Sequence, residues 1–467
     1  MHMFGSSVGA VAVVLVGLGG LGAVDAHASV ISLPTTKFTL NNGMTVLLHE
    51  DHSVPRVRIA IRFRVGSSRE TPGRTGFAHL FEHLMFEGSE HVAEGKFIEA
   101  IEAVGGENNA FTTEDETFYY EEVPSNAVDI PLFLESDRMG FYASKIEGAL
   151  VDRQRDIVKN ERRQRVENVP WGNGQELLPS LVFPKGHPYS WSVIGSMQDL
   201  SSASIDDVRS FYSTWYAPNN AVMAVVGDFD TATMQKTLEN WYSDVPSRGA
   251  PAKATAAPAT LPGEKRVVIE DPSAPLPRLT IVWPSVELFH KDDANLDLAA
   301  EALSANAGSR LQKRLVHDMQ VAQQVSVYQH SMERAGTFNI DVIAVPGVPL
   351  AQIVAAIDDE IAKLKATGPT DAELAAARAK IETGMADQLD GLDGKASRLI
   401  GYEVLLGDPN GFERDLNRYR KADAQAVADT MRRVLGKGRV ILSAVPTGMA
   451  SLAVINPSTT ATAGGAR

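Results

Sequence analysis

The chain has 467 residues, of which 44% are hydrophobic and 22% charged, with a formal charge of -14 and no cysteine. That length exceeds what a single hydrophobic core ordinarily serves, so two or more domains are expected. The acidic balance excludes a general nucleic-acid binder, which would be basic; the lack of cysteine excludes zinc fingers, thiol catalysis and disulfides, and leaves only His, Asp and Glu as metal ligands.

Val8 to Val24 is apolar, Gly-rich and uncharged, and Ala26-His27-Ala28 follows as a small-x-small cleavage site. Residues 1–28 therefore read as a secretory signal peptide. An uncleaved anchor is the alternative, because residues 1–7 contain no Lys or Arg. No later segment is apolar enough for long enough to span a membrane, and export without cysteine points to a bacterial periplasmic or secreted protein. Lys37 to Glu50 reads as a hairpin about Asn41-Asn42-Gly43. Arg56 to Val65 alternates strictly (Val57, Ile59, Ile61, Phe63, Val65) and reads as a strand.

A helix with apolar spacing follows over Gly76 to Phe86, and it carries His79-Leu80-Phe81-Glu82-His83. Residues four apart share a helix face, so His79 and His83 can aim imidazole nitrogens at one ion. Glu82 flanks the same face and can reach a water on that ion. The order is H-x-x-E-H, the reverse of the commoner H-E-x-x-H. Two imidazoles plus a carboxylate for proton transfer suit metal-assisted hydrolysis. The bland alternative is a structural helix, but burying three such polar groups without partners would cost several kcal/mol.

Downstream, Gly95 to Val104 reads as a helix, Asn108 to Thr113 and Thr117 to Val123 as strands, and Ala127 to Tyr142 and Ala149 to Val166 as long helices. Ile205 to Tyr212 and Thr231 to Trp241 are shorter helices around the buried-type strand Ala221 to Val226. Residues 29–246 form the expected first domain. Residues 247–263 are rich in Ala, Pro and Thr and read as a linker. Residues 264–455 then repeat the layout. Pro277-Arg278-Leu279 opens a strand as Pro55-Arg56-Val57 does, helices are expected over Asp293 to Ala305 and Ser309 to Met319, and strands over Gln324 to His330 and Gly336 to Val345. Amphipathic helices (Leu350 to Ala366, Thr370 to Leu389, Ala396 to Leu406, Ala424 to Leu435) lead to the strand Arg439 to Val445, the counterpart of Ala221 to Val226. The repetition suggests duplication, with no metal motif in the second half. Residues 456–467 read as a disordered tail.

Catalytic zinc usually takes a third protein ligand, and Glu161, in Asn160-Glu161-Arg162-Arg163, is the best candidate; by composition alone that segment is a solvated charged helix. Three segments in this order, namely the H-x-x-E-H helix, Gly105-Gly106-Glu107-Asn108-Asn109-Ala110-Phe111-Thr112 and Asn160 to Arg163, resemble the pitrilysin/insulinase-type zinc peptidases, and most closely the branch of the mitochondrial processing peptidase. The resemblance implies an α+β fold of two similar duplicated domains, each a mostly antiparallel sheet packed with helices, forming a clamshell. It implies Zn2+ as cofactor, held by His79, His83 and Glu161, with Glu82 as general base. It also implies that Asn109, Ala110 and Phe111 lie on an edge strand that a peptide extends. Zinc over manganese or cobalt rests on the resemblance, because His and carboxylate suit several metals.

Two departures from the family pattern matter. Gln154 stands where an accessory glutamate is common. In the second half, Val316 and Gln323 stand where an Arg and a Tyr reach the substrate carbonyl, with Arg310 and Arg314 nearby but out of register. The expectation is therefore a zinc endopeptidase of unstructured peptides that holds the metal half of a split site, completed as a heterodimer by a related subunit supplying Arg and Tyr. The alternative is a non-catalytic scaffold subunit of the same fold, against which the intact metal residues count. His91, Asp228, Trp171 and Trp191 read as surface, cap or packing residues, and His187 as part of a turn.

Overall fold

Runs of β-branched and alternating residues build two six-stranded sheets, and the sheets share one strand order. The computed structural model describes residues 32–249, 251, 255–256, 258–455 and 460–463, so the expected signal peptide lies outside the described residues. The first sheet contains β1 (Thr36–Thr39), β2 (Thr45–Glu50), β3 (Arg56–Phe63), β4 (Glu107–Thr112), β5 (Thr117–Pro124) and β6 (Ala221–Gly227), ordered β1-β2-β6-β3-β5-β4. The second contains β7 (Lys265–Asp271), β8 (Arg278–Ser285), β9 (Ala322–Ser331), β10 (Gly336–Ala344), β11 (Val440–Pro446) and β12 (Thr460–Ala463), ordered β12-β7-β11-β8-β10-β9. Substituting β7 to β11 for β2 to β6 converts one order into the other. Both sheets also have the same single parallel pair among these strands, β2 with β6 and β7 with β11, and are otherwise antiparallel there. The fold is α+β and duplicated.

The outermost strands break the symmetry. β1 precedes β2 and runs antiparallel to it, whereas β12 follows the whole second half and runs parallel to β7. β12 falls inside the stretch expected to be a disordered tail. There it covers the edge of β7, whose backbone groups would otherwise be unpaired. Among the described residues, no helix is long and apolar enough to cross a membrane.

Each sheet is covered on its rear face by a helix from the other half. The odd residues of β3 (Val57, Ile59, Ile61, Phe63) pack with Phe77, Leu80, Phe81 and Leu84 of the motif helix. The other face of that sheet (Leu47, Ala60, Phe118, Val222, Ala224, Val226) packs with Leu392, Ala396, Leu399 and Ile400 of helix Leu392–Leu406. Reciprocally, Leu177, Leu178 and Leu181 of helix Gly172–Val182 cover Val267, Ile269 and Leu442 of the second sheet. Gly174 of that helix faces Leu442 and Ile269 of the second sheet, which a Cβ there would meet at ordinary contact distance, 3.4 and 3.5 Å. This exchange also buries the polar side of β3. Arg58 and Arg62 are only 3% and 6% exposed, and they pair with Asp393 (2.5 Å) and with Glu116 and Glu333 (2.6 and 3.0 Å).

The turn between β4 and β5 is locked to the turn between β9 and β10. Asp115, itself buried, accepts from Ser68 Oγ (3.0 Å), the Tyr189 hydroxyl (2.6 Å), the Glu333 backbone N–H (2.9 Å) and Arg334 Nη1 (2.5 Å). Removing one partner of a buried pair strands the other charge. Arg334→Met is expected to destabilise the chain by about 3–5 kcal/mol, read as a lower denaturant midpoint. A midpoint within experimental error of the parent would show that Asp115 is satisfied without it.

Some elements escaped the sequence reading. Helix Gly172–Val182 carries Gly172, Gly174 and Pro179, all breaker signals. Helices Met197–Ser202 and Phe412–Lys421 are short, and the second has only Phe412, Leu416 and Tyr419 to mark a face. β7 has only Val267, Val268 and Ile269 between charges. Gln312–Asp318, expected as part of an α-helix, is wound as a π-helix.

Candidate metal centre

The motif helix spans Phe77–Leu84 and is anchored at several points. Phe77, Leu80, Phe81 and Leu84 enter the core. The Tyr119 hydroxyl donates to the Phe81 carbonyl (2.9 Å), within the helix. The helix starts at Gly76, whose φ of 89° is left-handed and suits glycine. The first turn's N–H groups need acceptors, and the buried Glu70 carboxyl supplies them, accepting from Gly76 and Ala78 N–H at 2.9 Å each. Burial pushes Glu70 up to about 8 while those N–H donors pull it down.

The remaining face presents His79, Glu82 and His83. Helix Gly148–Arg162 brings Glu161 to them. Glu161 Oε2 lies 3.5 Å from His79 Nε2 and 3.2 Å from His83 Nε2. One ligand atom from each of the three residues falls within 4.8 Å of the others, and no other such group of three occurs among the described residues. Tetrahedral coordination at ~2.0–2.2 Å places neighbouring ligand atoms roughly 3.3–3.6 Å apart. The two separations from Glu161, 3.5 and 3.2 Å, lie close to that spacing. Burial, then the charges of His83 and Arg165, hold the His79 imidazole down to about 3, so its ring is neutral and its lone pair free at neutral pH. The donor set therefore fits a zinc-sized cation. Arg165 Nη1 bonds the other Glu161 oxygen (2.9 Å) and orients that carboxylate. Gln154 is buried on the same helix, outside this group.

Glu82 is placed for proton transfer. It accepts a hydrogen bond from the Thr112 hydroxyl (2.6 Å) at the end of β4. Burial, with a smaller push from Glu161, raises its carboxyl above the ordinary glutamate range; Thr112, His83 and Arg165 oppose the shift. Thr112, Arg165 and Glu70 went unnoticed as supporting residues in the sequence. Thr112 closes the Gly105-to-Thr112 segment and was the one within reach of a motif-based reading.

Among the described residues β4 is an edge of the first sheet and pairs only with β5, so Asn109, Ala110 and Phe111 stand on an edge strand beside the motif helix. In the second half the positions considered in the sequence are engaged locally or carry no strong donor. Arg310 is held by Glu373 at 2.7 Å through Nε and Nη2, and Arg314 pairs with Asp359 (3.3 Å). Val316 lies in the π-helical turn and Gln323 is exposed on β9. His91 pairs with Asp137 (2.6 Å), His187 stacks on Phe183 and accepts from Tyr189 N–H, and Asp228 pairs with His52 (2.7 Å). Trp171 and Trp191 donate to the Leu276 and Ser67 carbonyls.

Comparison with known proteins gives a consistent picture. Residues 45–182 match the family model described as insulinase (peptidase family M16), and residues 202–381 match the peptidase M16 inactive domain. The zinc protease PqqE of Helicobacter pylori is 28% identical over 344 residues, covering 72% of this chain and 76% of that protein. The β subunit of the mitochondrial-processing peptidase of Lentinula edodes is 24% identical over 383 residues, covering 79% and 80%. The crystal structure of a protease from Helicobacter pylori superposes with a TM-score of 0.82 at 22% identity, covering 89% of this chain and all of that one.

Proposed function

The chain belongs to the M16 insulinase family and is a zinc protease of it, and on that premise we propose that it is an endopeptidase in which His79, His83 and Glu161 hold the metal and Glu82 is the general base. The observation that carries this reading is the closeness of Glu161 to both imidazoles, with Glu82 held beside them by Thr112. Zinc bound there would supply Lewis acidity, lowering the pKa of a water and polarising the scissile carbonyl.

The chain's own residues account for the rest. Glu82 takes a proton from the attacking water and returns it to the leaving amine. The Thr112 hydroxyl fixes the Glu82 rotamer, so the receiving oxygen is already oriented. The free edge of β4 offers backbone N–H and C=O groups at Asn109, Ala110 and Phe111 to an extended peptide, which adds as a further strand. That mode selects unstructured segments, because a folded substrate has no free strand to lend.

The developing oxyanion needs donors. Arg310 and Arg314 are engaged in local ion pairs, and Val316 and Gln323 are poor substitutes. The proposal is therefore that a related partner subunit contributes an Arg and a Tyr, giving a heterodimer. The Ala26-His27-Ala28 leader supports a periplasmic or secreted site of action. The test is co-purification from the native host, followed by cleavage of an unstructured peptide by each component alone and by both together. Activity at least tenfold higher for the pair supports the split site. Full activity of this chain alone, in monomeric form, removes the partner from the proposal.

A further inference from the structure

Glu161 differs from the two imidazoles in having two equivalent oxygens, and they have different partners. Oε2 lies 3.5 Å from His79 Nε2 and 3.2 Å from His83 Nε2. Oε1 pairs instead with Arg165 Nη1 at 2.9 Å, and among the described residues it has no other partner. The Arg165 side chain is 73% exposed, and Glu161 is its one ion-paired partner there. Two neighbouring cations are engaged elsewhere: Arg162 with Glu176 (2.5 Å) and Arg163 with the Asn160 amide oxygen (2.5 Å).

The backbone that carries Arg165 is held on both sides. It lies in a π-helical turn, Arg163–Glu167, that follows helix Gly148–Arg162 directly. The Arg162–Glu176 pair ties the start of that turn to helix Gly172–Val182. Beyond Arg165, Gly172 lies so close to the Val166 carbonyl that a Cβ there would stand 2.0 Å from its oxygen. Glu161 and Arg165 are four apart with the acid N-terminal, the favourable order for a pair along a helix. The Arg165 charge also reaches His79 and Glu82, lowering the pKa of each. An exposed ion pair adds little to stability. Here its effect falls on which oxygen of one carboxylate is left for a metal, and two equal oxygens need only a small bias.

We propose that Arg165 sets the coordination number of the centre and thereby its choice of metal. By holding Oε1 it keeps Glu161 a one-oxygen ligand, so His79, His83 and Glu161 give three ligand atoms and a fourth position stays open. Three protein ligands and one open position is the arrangement of catalytic zinc. Without Arg165 both carboxylate oxygens are free to turn to the metal, and the site offers two nitrogens and two oxygens. The added oxygen suits manganese, which takes more oxygen ligands than zinc. Arg165 is thus a positioning residue that acts through Glu161 and touches neither metal nor substrate. The assignment rests on the reading of His79, His83 and Glu161 as the ligands, and it extends that reading from which residues hold the metal to which metal they hold.

The test compares the full-length parent with Arg165→Met and Arg165→Lys, each stripped of metal and reloaded with zinc, manganese or cobalt alone. Zinc and manganese dissociation constants are measured by competition with a chelator. Cobalt is read by its visible absorption, which is intense in four-coordinate sites and weak at higher coordination number. Neither readout needs turnover. Losing a positive charge strengthens the binding of both divalent cations, so the ratio of the two constants is the quantity read. In Arg165→Met that ratio is expected to move towards manganese by about tenfold or more, and the cobalt band to lose most of its intensity. Arg165→Lys keeps a cationic donor and is expected to lie nearer the parent. An unchanged ratio in Arg165→Met, an unchanged cobalt band, or a parent whose cobalt band is already weak overturns the proposal. Failure of the ligand reading looks different: the parent itself then holds no stoichiometric zinc.

Discussion

Glu82→Gln is expected to lower kcat for peptide hydrolysis by about 10²–10⁴-fold while leaving the zinc content of the purified protein unchanged. Glutamine keeps the size and the hydrogen bond from the Thr112 hydroxyl, so the local geometry survives. What it loses is the ability to take a proton from water and return it to the amine. Because the proposed metal-holding atoms belong to His79, His83 and Glu161, metal analysis separates loss of the base from loss of the site. The same residue sets the acid limb of the pH profile. Catalysis needs Glu82 ionised, and burial raises its pKa above the ordinary glutamate range. Activity should therefore fall on the acid side as Glu82 takes up a proton. Residual activity within tenfold of the parent in a zinc-replete Glu82→Gln preparation would remove Glu82 from the mechanism.

Glu161→Ala is expected to lose both metal and activity. Two imidazoles remain, and a site short of one of its three ligands holds zinc far more weakly. After dialysis, zinc should fall from about one per chain to near none. The variant should still fold, because helix Gly148–Arg162 is held by Val151 and Val158 in the core and by the Arg162–Glu176 pair (2.5 Å). A ligand that binds only the native state stabilises it by mass action. Chelation should therefore lower the melting temperature of the parent protein and leave that of Glu161→Ala unchanged. Stoichiometric zinc in the variant would place the third ligand elsewhere.

The two tests differ in how far their premises were legible beforehand. His79, Glu82 and His83 lie within five consecutive residues, and one helical turn brings them together whatever the rest of the chain does. Glu161 had no such local signature; its own segment reads as a charged, solvated helix. Only resemblance singled it out, and only packing of that helix beside the motif helix brings it within 3.2 Å of His83. The doubled layout was legible in the same local way. Pro55-Arg56-Val57 and Pro277-Arg278-Leu279 do open equivalent strands, β3 and β8. Helix Gly172–Val182 was hidden by its breaker residues: Gly172 sits tight against the Val166 carbonyl at the helix start, and Gly174 and Pro179 lie within the helix.

The sequence by itself determined the elements whose period comes from neighbouring residues: the alternating strands, the amphipathic helices, their repetition, and a metal-binding face on a single helical turn. The tertiary structure alone decided which distant groups meet. It supplied Thr112 to Glu82, traded one helix between the two halves so that both faces of each sheet are covered, and buried Arg58 and Arg62 on the nominally polar side of β3. The division has a physical cause. Backbone periodicity is set by adjacent dihedral angles and side chains, whereas a contact between residues far apart in sequence exists only once the folded chain has covered the loop-closure entropy of bringing them together.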